Sequence, residues 1–169
     1  MANTFIKIQT VTVGSGGAAS ISFTSIPQTY TDLKLVHSIR VNRSGANADN
    51  VSLGFNSQIT NFTAEFVYGN GASAVSGTDN RNAGLVPATT ATASVFGNNE
   101  IYIPNYTSAN HKHYSVEGVS ENDATTAYIV MTKGVWADTA AITGITLTSQ
   151  NGTGFDEFSS ATLYGIKSS

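Results

Sequence analysis

The sequence predicts an all-β fold: an antiparallel, jelly-roll-like β-sandwich forming a single domain over residues 1–169, with one long polar insertion. Three observations carry that prediction. Short runs of alternating apolar and polar residues recur along the chain, each bounded by Gly, Pro, Asn or Ser, and a period of two places one face of a strand on a core. No stretch keeps a helical period over the length of a long helix. No segment repeats itself at a period of roughly 20–50 residues, which argues against a propeller or a solenoid.

The elements follow in order. Phe5 to Val13 is rich in Ile, Val and Thr, breaks at the glycines Gly14, Gly16 and Gly17, and resumes at Ser20 to Ser25, which predicts an N-terminal hairpin. Ser22 to Val41, SFTSIPQTYTDLKLVHSIRV, reads as strand, proline turn, strand. Pro27 lacks an N–H and pushes Ile26 toward an extended conformation, so the chain corners there. Beyond it Leu33, Leu35, His37, Ile39 and Val41 share the inward parity, against Lys34, Ser38 and Arg40, with Val36 the one apolar residue outside. After a polar loop over Arg43 to Asn50, Val51, Leu53 and Phe55 alternate again. From Gln58 to Gly69 the apolar residues Ile59, Phe62, Phe66 and Val67 fall at spacings that suit a short helix or an irregular crossing. Tyr68 to Ser94, dominated by Gly, Asn, Ala, Ser and Thr, reads as the long polar insertion and a contact surface.

The second half returns to strands. Gly97 to Pro104 carries Ile101 and Ile103 into a second proline corner, and His111 to Glu121 sets His113, Ser115 and Glu117 against Tyr114, Val116 and Gly118. Thr126 to Ala137 is apolar on both parities, with Tyr128, Val130 and Trp136 on one and Ile129, Met131 and Val135 on the other. Such a strand is expected to be covered on both sides, the outer cover being a neighbouring subunit. Ala141 to Ser149 turns Ile145 and Leu147 inward, and Ala161 to Lys167, ATLYGIK, closes the chain. The expected total is about eight to ten strands.

Composition narrows the function classes. Charged residues make up 11% of the chain, against about 25% in an average globular protein, and Ser, Thr, Asn, Gly and Ala stand in their place. Such a surface suits wide, neutral, partly wet contacts between subunits. Seven Tyr, eight Phe and regular β-branched alternation argue for a folded chain. Eight basic and eleven acidic residues, scattered without runs, give no electrostatic stripe for a phosphate backbone, so nucleic acid is not an expected partner. With no cysteine there is no disulfide, thiolate metal site or Cys nucleophile. No run approaches the ~20 apolar residues of a membrane-spanning helix, and residues 1–13 have no apolar core of signal-peptide type.

No catalytic constellation emerges. His111 and His113 would face one way on a strand, but no third ligand stands at a metal-binding spacing. His37, on the inward parity, reads as a buried or interface histidine with one hydrogen bond. Carboxyl pairs for glycoside hydrolysis would come from Glu100, Glu117, Glu121, Asp123, Asp156 and Glu157. Adjacent Asp156 and Glu157 point to opposite faces if extended, and Glu117 and Glu121 are about 13 Å apart at strand rise. No serine elbow, HExxH or phosphate loop is present. Asn-x-Ser/Thr at Asn42, Asn50, Asn61, Asn105 and Asn151 reads as turn chemistry. Trp136 and the tyrosines would suit a sugar-stacking platform, although its apolar neighbours place Trp136 in the core. The expectation is a protein that is not an enzyme, with no metal and no cofactor.

The segments SFTSIPQTYTDLKLVHSIRV, VSLGFN, EIYIPNY at Glu100 to Tyr106, TAAITGITLTSQNG and ATLYGIK, in this order and spacing, resemble a family of small virion structural proteins of tailed phages, notably cyanophages. The resemblance covers the whole chain and brings no catalytic residue. It implies a β-sandwich or jelly-roll module that assembles as a homotrimer. One placement is as a decoration (cement) protein on the capsid exterior, with the major capsid protein as partner. The other is as a tail-fibre or receptor-binding module contacting tail proteins or host glycan. A chain opening directly into a strand and closing just after one, with no coiled coil or shaft repeat, favours the decoration placement.

Overall fold

The computed structural model describes residues 4–122 and 126–167, and among these residues the chain forms twelve strands and no helix. They are β1 (Phe5–Thr12), β2 (Ser20–Phe23), β3 (Asp32–Ile39), β4 (Ala48–Phe55), β5 (Phe62–Gly69), β6 (Ala74–Thr78), β7 (Asn82–Pro87), β8 (Gly97–Ile103), β9 (Lys112–Asn122), β10 (Thr126–Trp136), β11 (Ile145–Ser149) and β12 (Ser160–Ile166). Every pairing is antiparallel. An eight-stranded sheet in the order β1-β12-β3-β8-β9-β10-β5-β6 packs on a four-stranded sheet in the order β2-β11-β4-β7. The result is a β-sandwich of unequal layers, so the wide sheet extends beyond its cover. One apolar cluster lies between the layers, and Leu33, Leu35, Ile39 and Val41 belong to it, as the period-two reading of that segment predicts.

The proline segment is a corner between sheets: β2 lies in the small sheet and β3 in the large one. Tyr106, fully buried after the second proline corner, donates its hydroxyl to the carbonyl of Pro27 and so ties the two corners together. Ile142 N–H donates to the Tyr106 carbonyl at 2.9 Å.

Four sequence expectations change, the first being the strand total, which is twelve among the described residues rather than eight to ten. The N-terminal strands are not a hairpin, because β1 pairs with β12 and β2 with β11. After the glycine turn, Ala18 bridges to Phe155, which carries the chain across to the other layer. Residues 58–69 form no helix: Phe62, Ala64, Phe66 and Tyr68 line one face of β5, while Thr63, Glu65 and Val67 line the other. The apolar Val67 on the outer face and the exposed Ile59 in the preceding turn disguised this alternation. The polar stretch 68–94 is part of the sandwich, contributing β6 to the edge of the large sheet and β7 to the edge of the small one. Its small residues serve close approach. Gly84 has φ +115°, and a Cβ there would lie 2.2 Å from Asn99 Oδ1.

Candidate functional site

The outer face of the large sheet, the side away from the small sheet, is the first candidate. On β10, the inward residues Val130, Thr132 and Trp136 are buried, whereas the outward Ile129 and Met131 are 64% and 49% exposed. Register sets Ile129 directly opposite Val119 of β9 and Met131 directly opposite Val67 of β5, themselves 42% and 51% exposed. Directly opposed residues stand about 5 Å apart, so the four side chains form one continuous apolar patch. A charged belt adjoins it: Lys34 pairs with Glu100 at 2.8 Å and Lys133 with Glu117 at 3.6 Å. Glu100 and Glu117 face each other across β8 and β9, and each is offset by its lysine. An apolar centre beside a polar rim is the anatomy of a protein–protein contact. The adjacent edge strand β6 has no charged residue and no proline, the usual guards of a free edge.

The residues singled out from the sequence are not brought together. His111 lies exposed in the loop before β9, and His113 is exposed on the outer face, beside Glu65, Tyr102 and Lys133 in a shallow concavity of about 420 Å³. Among the described residues no three His, Asp or Glu side chains are grouped to hold a metal ion. His37 is buried on β3, its Nε2 donating to the Ala83 carbonyl at 2.9 Å. Burial pushes its pKa down from 6.5 to about 4, outweighing that hydrogen bond, so the ring is neutral at physiological pH.

Of the carboxylates singled out, Glu100 and Glu117 pair with their lysines as above, and Glu157 lies half-buried next to Asp156. Glu121 accepts from Thr92 N–H at 2.7 Å and from its hydroxyl at 3.0 Å, and Asp156 pairs with Arg40 at 3.4 Å. Asp123 lies outside the described residues. Of the Asn-x-Ser/Thr asparagines, Asn61 and Asn105 take turn conformations with φ of 64° and 49°, and Asn42 Oδ1 accepts from the N–H groups of Thr153 and Gly154. Asn50, by contrast, sits within β4. Trp136 is buried against Phe55 and Phe62, so it is not a surface platform.

Three buried charges were not foreseen: Lys112 at the start of β9, whose Nζ donates to the Asn110 carbonyl at 2.6 Å, and the loop-binding Arg40 and Asp49. Arg40 follows β3 on the parity expected to face solvent, yet it is 8% exposed, and its guanidinium donates to the carbonyls of Ala91, Thr92 and Val95. Asp49 is buried on β4, where five donors converge on its carboxylate: Ser149 Oγ, Asn151 N, Asn151 Nδ2, Gly152 N and Arg43 Nη1. Burial alone would raise its pKa, but the hydrogen bonds from Asn151 and Ser149 and the charge of Arg43 outweigh that and lower it. Arg40 and Asp49 both hold loops in place. No protein-family model, curated protein or solved structure matches the chain.

Proposed function

We propose that this chain is a structural protein of a tailed-phage virion, a homotrimeric decoration (cement) protein that sits on the capsid exterior and stabilises the head shell. The observation that carries the reading is the uncovered patch of Val67, Val119, Ile129 and Met131 on the outer sheet face. An isolated domain would gain solubility from polar residues at these four positions, whereas a subunit buries them against a neighbour. The resemblance of the sequence segments to small virion proteins and the 11% charge content support the same reading.

A three-fold contact joins two unlike surfaces. Exposed Phe5 on β1 and Phe158 before β12 are unlike counterparts for the patch. The major capsid protein then meets the hydroxyl- and amide-rich remainder of the surface. Imaging the intact virion at subnanometre resolution tests the placement. Density for the sandwich in three-fold clusters on the head is the expected result. Density on the tail, with a bare capsid, would overturn the decoration reading in favour of a fibre or receptor-binding module.

A further inference from the structure

The eight-stranded sheet is wider than its four-stranded cover, and on one flank this mismatch opens a groove. One wall is the inward face of β5 and β10, with Phe66, Tyr68 and Tyr128; the other is formed by Asn50 of β4 and Asn82 of β7. The groove holds about 270 Å³ and continues, past Asn50 and Phe66, into a polar concavity of about 480 Å³ lined by Asp79, Arg81 and Gln150. We infer that this groove is a binding site for a neutral saccharide.

The aromatic wall lies outside the core cluster. Phe66 and Tyr68 stack at 6.0 Å with an interplanar angle of 18°, and Tyr128 meets Tyr68 edge-on at 5.9 Å. All three rings are half-buried. Phe66 stands opposite Gly77 of β6, where a Cβ would come within 3.0 Å of the ring, so local packing accounts for Phe66. It does not account for Tyr68, which keeps a ring at the groove where a β-branched residue would complete the strand equally well; the Tyr128 hydroxyl, beside it, accepts from Asn47 Nδ2 at 3.4 Å.

The polar wall is fixed in advance. Asp79 Oδ2 accepts from Asn50 Nδ2 at 3.1 Å and Asn82 Nδ2 at 3.2 Å, and its Oδ1 accepts from Gln150 Nε2 at 3.3 Å. Arg81 is held by the Leu53 carbonyl at 3.2 Å. One carboxylate therefore orients three amides, leaving the amide oxygens of Asn50 and Gln150 to accept from ligand hydroxyls. Holding these side chains before binding lowers the entropy lost on binding.

An apolar ring face beside planar amides matches a pyranose, which presents C–H groups on one face and hydroxyls around its edge. Asp79 and Arg81 are the charged side chains lining the groove among the described residues, and they cancel, which favours a neutral sugar over an anionic one. A glycosidase needs two carboxyl groups roughly 5–9.5 Å apart across the bond. With Asp79 alone the groove would hold a glycan without cleaving it. It opens on the opposite face of β5 and β10 from the apolar patch, so a neighbour seated on that patch leaves it accessible.

The inference goes beyond the virion placement and is tested on the purified chain, so either can fail while the other stands. The ¹⁵N-labelled protein is titrated with four probes: maltohexaose, cellohexaose and chitohexaose as free oligosaccharides, and delipidated O-polysaccharide as the envelope source. The expected result is saturable shifts at the side-chain amides of Asn50, Asn82 and Gln150 with at least one probe. Tyr68→Ala and Tyr128→Ala should weaken that binding about tenfold or more. Asn50→Ser, which removes a single hydrogen bond to Asp79, should weaken it as well, and the wild-type shift map requires no variant at all. No saturable shift with any probe at millimolar concentration, shifts mapping outside the groove, or wild-type affinity in the tyrosine variants would overturn the inference.

Discussion

At His37 the ring carries its proton on Nε2, bonded to the Ala83 carbonyl, while Nδ1 is buried without a partner. Protonating Nδ1 would place a charge where nothing accepts it. The folded pKa near 4 lies below the unfolded value of 6.5, so the neutral ring's contribution is fully present above pH 6.5 and is lost as pH falls toward 4. The shift corresponds to about 3 kcal/mol. Denaturant melts from pH 7 to 4 should show a loss of this size in the wild type and a much flatter profile for His37→Gln; equal slopes would contradict the assignment. Arg40 offers a second prediction. Arg40→Ala leaves three carbonyls without their donor and should cost about 2–4 kcal/mol, with faster amide exchange across residues 88–95 than elsewhere. The inward position of His37 could be read from strand parity. That of Arg40 could not, since parity ends where β3 ends at Ile39 and the loop that surrounds Arg40 lies some fifty residues away.

Among the elements, the strands of the central core were legible and those at the margins were not. β3, β8, β11 and β12 alternate cleanly because one face meets the other layer and the other meets solvent. β5 and β6 lie where the cover ends, so inward Phe62 and Ala64 are buried but inward Phe66 and Tyr68 only half-buried, while outward Val67 is apolar, and both departures weaken the alternation. β7 begins with Asn, Ala and Gly and ends in Pro, with Gly84 approaching Asn99 closely, so the strand reads as loop composition. The groove was hidden as well, because Phe66 and Tyr68 of its aromatic wall stand on β5, in the segment whose spacings suit a short helix or an irregular crossing. The turn after β11 depends on a side chain from another strand, Asp49 of β4. Asp49→Asn should therefore cost about 2–3 kcal/mol and loosen residues 149–152 selectively. Because the Asp49 pKa is lowered, its contribution is present above the ordinary carboxylate value and disappears as pH falls below it, under the window in which His37 acts. Thermal melts with hydrogen exchange at neutral pH would check the first claim, and melts below pH 4 the second.

For the molecule as a whole, a sandwich of eight strands over four has one covered face and one bare one, and the bare face holds the side chains that a solitary domain would replace. The sequence carried this signal in the two apolar parities of β10, which pointed to a cover on each side. Within the described residues only the inner side is covered, and under the proposed function the outer cover is a neighbouring subunit. Ile129→Lys and Met131→Lys alter exposed side chains and should leave the melting behaviour of the fold nearly unchanged while removing association. Light scattering on the purified chain at micromolar concentration measures this most directly. The account predicts a particle three times the 17.6 kDa chain for the wild type and a monomer for the Ile129→Lys, Met131→Lys double variant. A wild-type monomer, or a double variant that still forms trimers, would contradict it.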